Sequence, residues 1–101
     1  MHSFVVVRLN GAAMVWADCP LGGALAPRLH ETLQNLLGEG VAPLVVDLVW
    51  VPSVDDGIVQ ALSSAADRAG RLGPGLELRL PGGRALTVRD GVQLRAALIQ
   101  A

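Results

Sequence analysis

The chain has 101 residues, of which 51% are hydrophobic, and a formal net charge of −1 at pH 7. A chain of this length typically forms one domain, and this hydrophobic fraction can fill its core without disulfides or metal ions. Composition argues against nucleic-acid binding, because the 8 basic residues are arginines spread singly along the chain and few aromatic side chains are available for base stacking.

Cysteine usage and hydropathy restrict the location of the protein. The single cysteine, Cys19, cannot form an internal disulfide or a CxxC metal site. The N-terminal apolar run meets Arg8 too early for a signal-peptide core, and no other run approaches the roughly 20 apolar residues that cross a bilayer. We therefore expect a soluble, cytoplasmic, single domain over residues 1–101 with no membrane insertion.

The first predicted elements form a β-hairpin and a loop. Residues 4–9 are rich in β-branched side chains and end at Asn10-Gly11, a dipeptide that accepts the positive φ angles of a tight turn. Residues 12–17 are expected to pair back on this strand. The breaker residues 19–23 then predict a loop.

A helix and an apolar strand follow. Leucines recur at helical spacing over residues 24–37, Pro27 suits the first turn, and Gly38 supplies the stop. Residues 44–51 are almost continuously apolar, which is typical of a strand covered on both faces. This segment is the predicted central strand.

A second helix begins near two acidic residues. Asp55 and Asp56 can cap it, and its apolar stripe extends to Gly70 or Leu72. Its many alanines indicate a close approach to the sheet.

A strand, a turn and a third helix complete the chain. Residues 76–80 alternate in polarity as a half-exposed strand does, residues 81–83 turn the chain, and residues 85–88 can add a short strand before Asp90 caps the last helix. This order predicts an α/β fold with a mixed four- to five-stranded sheet, helices packed on it, and an opening hairpin.

Three stretches share order and spacing with a known family. They are Leu9-Asn10-Gly11 after the first strand, residues 25–40 as first helix and stop, and residues 44–55 with their Leu-Val-Val-Asp-Leu strand and Val-Asp helix start. On these stretches the sequence resembles the STAS family, which includes bacterial anti-sigma factor antagonists. The resemblance implies a protein-binding regulatory domain, without enzymatic activity, cofactor or metal. One departure is the segment from Gly11 to Pro27, which is longer than usual in the family.

The start of the second helix also departs from the family pattern. There the helix-start Asp is followed by Ser, then Ser or Thr, then Gly and Leu, and the second hydroxyl is the usual kinase target. Here the segment reads Asp55-Asp56-Gly57-Ile58-Val59. An ungapped alignment puts Asp56 and Gly57 at the two hydroxyl positions, and an alignment with one deletion puts Asp56 where a hydroxyl stood. Both predict a switch site that cannot be phosphorylated.

The predicted partner-binding residues lie at this helix start and in the loop before it. They are Trp50, Ser53, Val54, Asp55, Asp56, Gly57, Ile58 and Gln60. By the resemblance, the partner is an anti-sigma factor with serine-kinase-like character. The alternatives are a STAS subunit that binds the ATPase of an ABC-type lipid-transport complex, and a stressosome-like scaffold.

Several polar residues allow other interpretations. Asp47, Asp55 and Asp56 could converge on Mg²⁺, but a hydrogen-bonded Asp47 is favoured because unpaired buried charge is rare. Asp56 either mimics part of a phosphate charge or only caps the helix. Ser53 is either a displaced kinase target or an ordinary turn serine. No nucleophile–base pair indicates an enzyme.

Overall fold

Strands and helices alternate over residues 3–100, the part of the chain that the computed structural model describes, without the side chain of Gln100. A short 3-10 turn, Gly23–Leu25, precedes the first α-helix. The strands and α-helices of the described residues are β1 (Val5–Leu9), β2 (Ala12–Trp16), α1 (Ala26–Gly38), β3 (Leu44–Asp47), α2 (Asp56–Leu72), β4 (Leu76–Arg79), β5 (Ala85–Val88) and α3 (Gly91–Gln100).

The five strands form one mixed sheet in the order β1-β2-β3-β4-β5. β1 and β2 are antiparallel, β2, β3 and β4 are parallel, and β5 is antiparallel to β4. Asn10 and Gly11 both have positive φ, 50° and 83°, which is the geometry of a type I′ hairpin turn. The predicted mixed sheet with an opening hairpin is therefore confirmed.

The helices cover one face of the sheet. Alternate strand residues such as Val15, Val46 and Leu78 are buried in one core with the apolar faces of the helices. The opposite face, called here the open face, has no helix on it in the described part of the chain. Its side chains are those of Val5, Val7, Leu9, Ala12, Met14, Trp16, Val45, Asp47, Glu77, Arg79, Ala85 and Thr87. The prediction that β3 is covered on both faces is thus wrong, although Val45 is buried at the centre of the open face.

β3 also ends earlier than predicted, at Asp47 instead of residue 51. Asp47 Oδ1 accepts a hydrogen bond from the Val49 N–H at 3.0 Å, and the Val51 N–H donates to the Leu48 carbonyl at 3.0 Å. These bonds turn the chain out of the sheet. The Leu48 N–H still donates to the Arg79 carbonyl of the neighbouring strand at 2.8 Å, and Leu48 and Val51 are both buried, so the apolar character of Val51 reflects a buried turn and not strand pairing.

Small residues let α2 pack closely on its neighbours. Its inward face is rich in alanine, and the backbone of Gly70 lies against the chain that enters α3. A Cβ at Gly70 would be only 1.8 Å from the carbonyl oxygen of Arg89. α2 ends at Leu72, within the predicted limits, whereas α1 begins two residues later than predicted because residues 23–25 form the 3-10 turn.

Candidate functional site

The candidate site is the start of α2, which Asp55 caps. Asp55 has an extended backbone, and its Oδ1 accepts a hydrogen bond from the Ile58 N–H at 3.2 Å. This bond satisfies one of the N–H groups that a helix leaves unpaired at its first turn. Asp56 follows in the first turn, where a negative charge interacts favourably with the helix dipole. The predicted capping by Asp55 is confirmed.

Two glycines enclose the Asp55 carboxylate. A Cβ at Gly23 would lie 3.0 Å from Asp55 Oδ2, and a Cβ at Gly57 would lie 3.1 Å from Ala26 Cβ and 3.5 Å from Asp55 Oδ1. The glycines thus let the start of α1 approach the start of α2. In the ungapped alignment Gly57 occupies the family's phosphorylated position, and a hydroxyl-bearing side chain there would have to displace Ala26.

The long segment between β2 and α1 pairs with the loop before α2. The Leu21 N–H donates to the Ser53 carbonyl at 3.0 Å, and the Asp55 N–H donates to the Leu21 carbonyl at 3.2 Å, which gives a parallel bridge between Leu21 and Val54. This contact was not predicted from the sequence. The available signal was an apolar residue at every second position from β2 onward, all of them buried: Ala13, Val15, Ala17, Cys19 and Leu21.

Replacing Asp55 by alanine should lower the free energy of unfolding by about 1–2 kcal/mol, because the Ile58 N–H loses its acceptor. The substitution Asp55→Asn should retain most of the stability, since Asn caps helices as well as Asp does. Urea denaturation of both variants measures the difference. Equal stabilities of Asp55→Ala and wild type would show that the cap contributes nothing.

Five of the eight predicted contact residues are exposed, namely the cap Asp55 together with Trp50, Ser53, Asp56 and Gln60. We call Trp50, Pro52, Ser53, Asp56 and Gln60 the α2-start surface, and all five are exposed. Trp50 is the largest of them and is 65% exposed, in the turn after β3.

An apolar depression adjoins the α2-start surface. It consists of two shallow grooves of about 370 Å³ each, which share Val54 and Leu98. The first is also lined by Leu48, Val51, Pro52, Ser53, Leu80 and Pro81, and the second by Asp56, Val59, Arg95 and Ile99. α3 therefore forms one wall of the site, held to α2 by a hydrogen bond from Arg95 Nη2 to Gln60 Oε1 at 2.9 Å.

Sequence analysis missed the contribution of α3. The sequence predicted only a last helix capped by Asp90, and in the structure its Leu94 and Ala97 lie in the core. Val92 and Ile99, however, are 78% and 84% exposed. The signal was an apolar character on more than one side of the helix, which a purely core-facing helix does not need.

Three predicted roles change with the structure. Ile58 is 0% exposed, so it belongs to the core and its prediction as a contact residue is corrected. Val54 is half-buried by its bridge to Leu21, and Gly57 is half-buried against Ala26. Both therefore shape the helix start more than they offer contact area.

The three aspartates do not combine into a metal site. Asp47 accepts the hydrogen bond from Val49 that the favoured interpretation expected, and Asp55 caps α2. Within residues 3–100, no three His, Cys, Asp or Glu side chains are grouped so that they could hold a metal ion. Across the same residues, no helix has both the length and the apolar character that a membrane crossing requires.

The topology of this sheet and its helices occurs in a solved structure. A crystal structure of a Thermotoga maritima protein, provisionally assigned as an anti-sigma factor antagonist, matches 96% of this chain and 80% of that chain with a TM-score of 0.67. The chain has the STAS-type fold. Sequence identity to that protein is 13%, so the likeness concerns the fold. No protein-family profile matched the sequence, and neither did any curated protein.

This is the fold that the family resemblance of the sequence implied. Of the predicted contact residues, Trp50, Ser53, Asp56 and Gln60 are exposed, and Ser53 and Asp56 line the apolar depression.

Proposed function

We propose that this STAS-type domain is a cytoplasmic regulatory protein that binds an anti-sigma factor with a serine-kinase-like domain. The observation that carries the proposal is the apolar depression at the start of α2, and the exposed Trp50 directly precedes Val51, one of the residues that line it. Tryptophan is enriched among the residues that dominate binding energy at protein interfaces, and a central apolar region with a polar rim is the usual composition of such interfaces. Asp56 and Gln60 supply that rim.

The mechanism we propose is sequestration. The partner docks on the α2-start surface and is thereby kept from the factor that it inhibits. The solved structure with the same fold belongs to a protein provisionally assigned as an anti-sigma factor antagonist, which supports this direction of action.

We further propose that this domain is not switched by phosphorylation at the helix start. Asp56 and Gly57 offer no hydroxyl to a kinase. A phosphate would add almost two negative charges and three acceptor oxygens, whereas Asp56 carries one permanent charge. The fraction of the partner that is bound by this domain then depends on the concentrations of the two proteins and not on phosphorylation by a kinase.

Affinity purification of the tagged wild-type protein, followed by mass spectrometry, tests the identity of the partner. The purified partner is then incubated with ATP and with wild type, Asp56→Ser or Asp90→Ser. Asp90 is the control because it is also an aspartate at the start of a helix, where its Oδ1 accepts a hydrogen bond from the Gln93 N–H, but it lies away from the α2-start surface. We expect phosphorylation of Asp56→Ser alone, and weaker binding of its phosphorylated form.

Other results would change the proposal in defined ways. Phosphorylation of wild type at Ser53 would show a displaced switch site. Recovery of an ABC-transporter ATPase would replace the anti-sigma factor as partner.

A further inference from the structure

β1 forms one edge of the sheet, and its outer side is unpaired in the described chain. In a hairpin with a two-residue turn, the residues that flank the turn exchange both backbone hydrogen bonds, and the pattern alternates along the strands. Leu9 pairs with Ala12 here, so the N–H and C=O groups of Leu9, Val7 and Val5 all point inward and bond to β2. The N–H and C=O groups of Val6 and Arg8 therefore point outward, free to pair with another strand.

The devices that usually block such an edge are missing from β1. The strand has no proline, and its register with β2 continues through five residue pairs without a bulge. Its only charged side chain, Arg8, forms an ion pair with Glu39 at the end of α1. On the open face, Val5, Val7 and Leu9 are 51%, 48% and 70% exposed. A regular edge with apolar side chains is a site where a further strand can add.

We propose that β1 pairs with β1 of a second copy, antiparallel about a twofold axis at Val7. This register places Val5 opposite Leu9 of the second copy, Val7 opposite Val7, and Val6 opposite Arg8. The two sheets then join into one of ten strands, and the exposed apolar side chains of both strands become cross-strand neighbours. The edge shares no residue with the α2-start surface, so this proposal stands apart from the proposed function.

The pattern of charges favours a second copy in this register. When β1 pairs antiparallel with β1 of a second copy in this register, no charged residue lies opposite a like charge, and Arg8 lies opposite Val6. Pairing of β1 with the other edge strand, β5, is less favourable because Arg84 and Arg89 flank β5 and would approach Arg8. Pairing of β1 with β5 would also leave a free β1 edge and a free β5 edge, so further copies could add without limit. The twofold pairing of β1 with β1 stops at a dimer.

A disulfide tests the axis directly. Cys19 is only 4% exposed, so Val7→Cys adds the one readily accessible thiol. The two Val7 positions form a pair without mutual hydrogen bonds, whose Cα atoms are about 4.5 Å apart and thus within reach of a disulfide. We expect Val7→Cys to form a covalent dimer under mild oxidation. The control Val92→Cys, at a position that is 78% exposed on α3, should form no covalent dimer.

Sedimentation equilibrium tests the unmodified interface. Wild type and Val92→Lys should associate as dimers, whereas Val7→Lys, which places two like charges together at the axis, should weaken dimerisation at least tenfold. Circular dichroism establishes that Val7→Lys is folded. A wild type that stays monomeric up to its solubility limit, or a Val7→Lys variant as dimeric as wild type, would overturn the proposal.

Discussion

Replacing Gly70 by alanine should lower the free energy of unfolding by about 3 kcal/mol, although alanine is the better helix former. The added Cβ would lie 1.8 Å from the Arg89 carbonyl oxygen, a rigid backbone atom that cannot move aside like a side chain. The Arg89 guanidinium also donates to the Gly73 carbonyl, so the chain entering α3 is held to the end of α2 at two points. Relief of the clash therefore requires α2 and α3 to separate. Urea denaturation measures the loss.

Gly38→Ala is the matched control for this substitution. Gly38 lies in α1, and its added Cβ would meet only the flexible end of the Arg68 side chain at 3.5 Å, an ordinary contact. We expect unchanged stability or a gain of up to about 1 kcal/mol. If Gly70→Ala behaves like Gly38→Ala, α2 and α3 are not in the close contact described.

Replacing Trp50 by alanine should weaken binding of the proposed partner about 30-fold or more, which corresponds to at least about 2 kcal/mol. The indole is 65% exposed in the free domain, so its truncation removes contact area without opening the core. Thermal unfolding should accordingly change little. Titration calorimetry with the purified partner measures the affinity.

Leu72→Ala serves as the control for Trp50→Ala. Leu72 is also a large, exposed apolar residue, 56% exposed, but it lies at the opposite end of α2 from the α2-start surface. Its truncation should leave the affinity unchanged. An affinity that falls for Leu72→Ala and not for Trp50→Ala would move the binding surface to the other end of the helix.

Much of the fold could be predicted because local signals agreed with one another. Asn10-Gly11 specified the hairpin, and residues 85–88, for which a short strand was one of two alternatives, form β5. The main error concerned residues 48–51. Apolar character reports burial and not hydrogen bonding, so the sequence did not reveal that the Asp47 side chain takes the Val49 N–H and turns the chain.

The sequence predicted only those features of the candidate site that depend on residues close together in the chain. The Asp55 cap follows from residue type and position alone. The Leu21–Val54 bridge and the groove wall from α3 join segments that are far apart in the chain, and single-residue patterns carry no information on such pairings. The burial of Ile58 followed from the helical period, but the family resemblance outweighed that signal in the prediction.

The backbone bridge at Leu21 has a consequence for how this domain can diverge. The loop before α2 is fastened through main-chain N–H and C=O groups at Ser53 and Asp55, which every amino acid except proline supplies in full. Exposed side chains such as Trp50 and Asp56 can therefore be exchanged over evolutionary time while the helix start keeps its place. Relatives that recognise different proteins could arise from this scaffold by a few surface substitutions, with little loss of stability.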